Sequence, residues 1–183
     1  FNHIADTPGG LAGGGAAEVA LGRARGACGL AAVGAPVPAA RTLARPARGK
    51  ALPLVSKIRS PHARAYVVLG LAAAFAPERA AMPPLGEPLE PRLKLQVETA
   101  LTNVASGLLD HHTSASSVDW PWWENHLTWG NGRMPEAMLR AAAATGNREY
   151  AATGMRALEF LADITKSGTL FVPIGNQGWP LRS

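Results

Sequence analysis

One stretch concentrates the residues able to do chemistry: Asp119-Trp120-Pro121-Trp122-Trp123-Glu124-Asn125-His126-Leu127-Thr128-Trp129-Gly130-Asn131-Gly132-Arg133-Met134-Pro135. Four of the five tryptophans in the chain fall within ten positions here. Sugars present flat C–H faces rimmed by hydroxyls. Indole rings pack on the faces, while carboxylates, amides and guanidinium groups bond the hydroxyls. The stretch supplies both kinds of group. Trp120, Trp122 and Trp129 are candidate plates, and Asn131 and Arg133 are candidate hydroxyl partners. Glu124 lies among indoles, and burial there would raise its pKa toward that of a general acid. Asp119 is the second candidate acid. Glu124 and Arg133 are expected to share one polar site ringed by Trp120, Trp122 and Trp129. The bland alternative is that the indoles plug the end of a helical bundle, Glu124 caps a helix and Arg133 stands in solvent.

Other chemistry is weakly signalled. His111 and His112 are sequence neighbours, and side chains at i and i+1 of a helix do not converge on a metal. Cys28 is the only cysteine, which excludes an intrachain disulfide. It has no visible His partner and reads as an inert thiol. The glycines of residues 1–15 fit neither dinucleotide- nor phosphate-cradling spacing, and no H-E-x-x-H, C-x-x-C or G-x-S-x-G is present. No metal and no cofactor are expected.

The elements that must hold the tryptophan stretch read as helices. Residues 1–15 are Gly-rich and predict a flexible start, followed by one helical domain over 16–183. Ala16 to Val33 predicts a weak helix, because Gly22, Gly26 and Gly29 each cost about 1 kcal/mol against Ala. Pro38 to Ile58 predicts a second, kinked or shortened by Pro46 and Pro53. Ser60-Pro61 is an N-cap followed by proline at the first helical position. It opens a helix to about Phe75 that is apolar on nearly all sides and therefore buried all round. Residues 77–91 hold five prolines and read as loop. Leu93, Val97, Ala100, Leu101, Val104 and Leu108 form one face of a helix from Pro91 to about Asp110. Residues 111–132 read as loop. Helices follow over Pro135–Thr145 and Glu149–Ile164, the second with Tyr150, Ala157, Leu158, Leu161 and Ile164 on one stripe. Gly146 is a plausible C-cap between them. Phe171 to Ser183 reads as extended. The fold class is all-α: about six helices in three antiparallel hairpins, with no sheet.

Charge and aromatics divide the chain. Residues 1–65 carry nine Lys/Arg against Asp6 and Glu18, a balance of +7, and the remainder balances to −2. No aromatic residue lies between Phe1 and Tyr66, so the basic half lacks the stacking platforms of single-strand binders, and no nucleic-acid partner is expected. The longest strongly apolar run, Ala65 to Ala76, is too short to span a bilayer. No signal peptide is legible, and a cytoplasmic location is the expectation.

The central stretch also carries a resemblance. It is similar to D-W-P-W-F-E-D-x-L-T-Y-D-N-A-R-L-P of the (α/α) toroid domain related to six-hairpin glycosidases, which bacteria carry alone or fused behind a two-Rossmann glycosyltransferase. Asp119, Trp120, Pro121, Trp122, Glu124, Leu127, Thr128, Asn131, Arg133 and Pro135 match. Asn125 and Gly130 stand where that pattern has acids. Ser60-Pro61-His62-Ala63-Arg64-Ala65 resembles the family's S-P-R-A-x-A helix start. Pro173-Ile174-Gly175-Asn176-Gln177-Gly178-Trp179 resembles its P-x-G-N-x-G-W loop, adding Asn176 and Trp179 to the candidate ligand contacts. The resemblance implies a partial toroid, about the first half, that binds or processes glycosides. It implies a carbohydrate ligand, and as partner a glycosyltransferase domain or the other half of the ring. The two absent acids favour a noncatalytic accessory domain, or an inactive fragment, over full catalysis.

Overall fold

The computed structural model describes residues 14–75, 89–175 and 178–182. The expected flexible start therefore lies outside the described residues as far as position 13. Gly14 and Gly15 belong to the first helix, not to a loop. The described residues form α1 (Gly14–Gly34), α2 (Pro38–Ala51), a 3-10 turn (Leu52–Lys57), α3 (Pro61–Ala72), α4 (Pro91–Ala115), α5 (Arg133–Thr145) and α6 (Arg148–Ile164). A short antiparallel hairpin follows, β1 (Lys166–Ser167) and β2 (Leu170–Phe171). The described residues are thus mostly helical, and this hairpin stands against the expectation of no sheet.

The helices begin and end where side chains satisfy their free backbone groups. Ser60 caps α3, its hydroxyl accepting from the Ala63 N–H at 3.4 Å. The Glu18 carboxylate of α1 accepts from the Arg59 and Ser60 N–H groups at 2.9 and 2.8 Å, tying the start of α3 to α1. Glu90 caps α4, and its bonds from the Arg92 and Leu93 N–H groups hold its carboxyl below the usual carboxylate range. Asn147 caps α6. Gly146 closes α5 in the left-handed region, at φ 74°.

The glycines of α1 do not merely weaken it. Gly22, Gly26 and Gly29 repeat at spacings of four and three and so share one face. A Cβ on Gly22 would lie 2.7 Å from the Ala63 carbonyl oxygen, and one on Gly26 2.5 Å from that of Tyr66. Gly29 meets the backbone of Gly70. The contact pairs advance in the same direction along both chains, so α1 and α3 run parallel at close approach. α3 also packs against α5 and α4, α2 packs on α1, and α6 packs on α5. The two-residue link between α5 and α6 makes that pair antiparallel.

α3 is buried on nearly every side and packs against α4, whose buried face carries Val97, Leu101, Val104 and Leu108. Leu158, expected on the buried stripe of α6, is exposed; Tyr150, Gly154 and Ala157 are the buried residues there. Arg64 of α3 donates to the Ile58 carbonyl at 3.0 Å and to the Gly107 carbonyl of α4. Burial, then the charge of Arg59, lower its pKa. No described helix is long and apolar enough to cross a membrane.

Candidate functional site

The tryptophan stretch connects α4 to α5. α4 runs five residues past Asp110, so His111 and His112 are helical rather than loop residues. His112 is buried with its ring edge-on to Trp123 at 4.8 Å. Burial pulls its pKa below 6.5, opposed by a bond to the Pro121 backbone.

Three of the four clustered indoles are core. Trp122 is 0% exposed, Trp123 1% and Trp120 8%. The Trp120 N–H donates to the Glu124 carbonyl at 2.7 Å, and the Trp123 N–H to the Leu108 carbonyl at 2.9 Å. Phe160 of α6 packs edge-on against Trp120 at 5.0 Å. Trp120 and Trp122 therefore present no free face in this conformation. They fasten the loop to the bundle, correcting the expectation that they are ligand plates.

Glu124 and Arg133 do not share a site. The Glu124 carboxylate lies 3.0 Å from Nε2 of His62, two residues into the α3 start. Arg133 pairs with Glu136 one helical turn ahead, at 2.7 Å and exposed. Asp119 is exposed. The His62 ring, itself buried, stacks on Trp129 at 4.5 Å and 22°. The Arg23 guanidinium of α1 lies 4.4 Å from the Trp129 ring centre and 5.4 Å from that of Tyr66. Trp129 is thus fixed by groups from two neighbouring helices. Sequence reasoning missed Arg23, His62 and Tyr66. The sole hint was the place of His62 directly after Ser60-Pro61; distant residues meeting on one ring leave no spacing signal.

Asn131 serves the loop itself. Its Oδ1 accepts from the Thr128 N–H at 3.1 Å, and its amide donates to the Thr128 carbonyl at 3.3 Å. Gly130, at φ 60°, makes the turn. The segment after the hairpin runs back alongside: the Leu127 N–H donates to the Pro180 carbonyl at 3.0 Å, and the Arg182 N–H to the Asn125 carbonyl at 2.8 Å. Trp179 stacks on His126 at 5.9 Å and 4°.

Between these strands of chain lies a cleft of about 570 Å³. Residues 128–132, the end of α6, Phe171 of the hairpin, residues 173–175 and Trp179 line it. Of the expected contacts, Trp129, Asn131 and Trp179 reach this cleft, whereas Glu124, Asp119, Trp120, Trp122 and Arg133 do not line it. Asn176 lies outside the described residues. No Asp or Glu is among the described lining residues. Retaining and inverting glycosidases need two carboxyls flanking the bond, roughly 5 to 9.5 Å apart. Among the described residues, no cluster of three or more His, Cys, Asp or Glu could hold a metal ion. No family model, curated protein or solved structure matches this chain.

Proposed function

We propose that this chain is a carbohydrate-binding domain that works as a noncatalytic accessory, with a glycosyltransferase as the kind of partner its central motif implies. The observation that carries the reading is the cleft lined by Trp129 and Trp179 with no carboxylate among its described lining residues. Trp129 already carries His62 and Arg23 on its ring, so the indole left to pack on the C–H face of a sugar is Trp179, and no pair of acids for hydrolysis is among the described lining residues. Resemblance of the central motif to toroid glycosidase-like domains supports the same substrate class. The alternative is glycoside processing. It rests on Glu124, which is part-exposed and bonded to His62, a pairing that suits proton transfer.

Titration of the chain with a panel of oligosaccharides, followed by tryptophan fluorescence, tests both readings when turnover is assayed in parallel. Saturable binding without turnover is expected. Turnover lost in Glu124→Gln would establish processing instead. A folded sample that answers to no glycan would end the carbohydrate reading.

A further inference from the structure

α2 turns an apolar row to the outside. Ala39, Thr42, Leu43 and Pro46, at offsets of 0, 3, 4 and 7, share one helical face, and all four are exposed. Leu43 is 76% exposed, and Val37, at the N-cap, 58%. The only hydroxyl of that row is bonded within the helix, Thr42 donating to the Pro38 carbonyl at 3.2 Å. Ala40, Arg41, Ala44 and Arg45 lie on the other side, Ala44 buried and both arginines half-buried. The Arg41 guanidinium donates to the Ala35 carbonyl in the turn that leads into α2. A helix that met only water on its outer side would show the reverse order, with cations out and leucine in.

The charge around this row has one sign. All nine Lys/Arg of residues 1–65 follow Glu18, and no Asp or Glu occurs from Val19 to Pro77. Four of the nine belong to α2, and exposed Lys57 follows in the 3-10 turn. We propose that α2 docks this end of the molecule on an anionic lipid surface. The basic residues meet headgroup phosphates, while Leu43 and Val37 enter the boundary between headgroups and acyl chains. Two other occupants fit less well. A second copy would set two acid-free basic surfaces face to face, where like charges repel. Nucleic acid is held by cations aimed at phosphates and by rings that stack on bases, and the outward row of α2 holds neither. The face is also separate from the cleft, whose described lining includes no residue of α2.

The test is flotation of the full chain with vesicles of phosphatidylcholine alone, and of phosphatidylcholine with about one-third phosphatidylglycerol. Binding to the anionic vesicles is expected to be at least about tenfold tighter than to the neutral ones, and to weaken as salt is raised. Val37→Ser combined with Leu43→Ser keeps every charge and changes two exposed side chains, so folding should be spared. It is expected to weaken binding to the anionic vesicles about tenfold or more. Full retention of binding by that variant, equal binding to both vesicles, or no flotation of a sample with a cooperative melt overturns lipid docking. Preference for duplex DNA over the vesicles overturns it in favour of nucleic acid. Self-association that the serine variant loses, in a parent that ignores vesicles, overturns it in favour of a second copy. No glycan enters these measurements, so their failure leaves carbohydrate binding standing.

Discussion

Glu124 and His62 hold each other at 3.0 Å across the seam between α3 and the tryptophan loop, and this decides what substitution there will do. Removing Glu124 leaves buried His62 Nε2 with only the long contact to the Thr128 hydroxyl at 3.5 Å, and a buried polar group that loses its good bond costs about 1–3 kcal/mol. Glu124→Ala is therefore expected to lower unfolding free energy by that amount in a denaturant titration. Glu124→Gln, which can still bond His62, should cost about 1 kcal/mol or less. Both variants should retain glycan affinity, because Glu124 stands outside the cleft lining; lost binding in a fully stable Glu124→Gln would reinstate Glu124 as the functional acid. His112 gives a separate readout. Its folded pKa lies below 6.5 because burial disfavours the charged ring. Below that pH the unfolded chain takes up a proton that the fold resists. Stability should be full above about pH 6.5 and fall as pH drops toward the depressed folded value. His112→Phe keeps a ring against Trp123 and should flatten the fall between pH 7 and 5; an unchanged slope would assign the pH dependence elsewhere. At this scale the sequence was legible in type but not in orientation. A run of indoles with carboxylates and amides reads the same whether the rings face a ligand or a core. Only contacts from α4 and α6 distinguish buried Trp122 from cleft-lining Trp129.

Helix identity was written locally, and helix purpose was not. The Ser60-Pro61 start, the Gly146 stop and the apolar face of α4 each depend on residues a few positions apart, and the structure has all three. The ends of α4 and α5 slip because their cues are tertiary. His111 to Ser114 are polar, yet α4 continues through them because His112 docks on Trp123. The glycines of α1 are the sharper case. Their helix penalty is visible in the sequence, whereas their reason is the backbone of α3, forty residues away. Gly26→Ala is expected to destabilise by about 1–3 kcal/mol, since the added methyl overpacks against a rigid carbonyl. Gly34→Ala, at the last residue of α1, meets nothing within 4 Å and should be neutral or stabilising by up to about 1 kcal/mol. Thermal melts of the two variants side by side check this. If both behave alike, the close approach of α1 to α3 does not govern stability.

The arrangement of the whole molecule follows from those glycines. α1 and α3 run parallel, α3 packs on α5 in turn, and α2, α4 and α6 pack on α1, α3 and α5. A row of alternate helices backed by a second set is the repeating plan of helical-hairpin arrays, in which each unit completes its core only against its neighbours. We propose on that plan that the row is part of a toroid. The same logic predicts incomplete cover for apolar groups. Leu170, Phe171 and Val172 are exposed in succession on the hairpin beside the cleft. An exposed apolar run of this kind favours association. The isolated chain is expected to show a concentration-dependent mass in sedimentation, and a double change of Leu170→Ser and Val172→Ser should shift it toward monomer. Phe171 stays in place in that variant, so the cleft wall it contributes is kept. Glycan titration of the same variant then separates surface association from ligand binding. A parent chain that sediments as one monomeric species at every concentration, with a sharp cooperative melt, would mean that these helices bury enough core on their own and need neither a second copy nor a further set of hairpins.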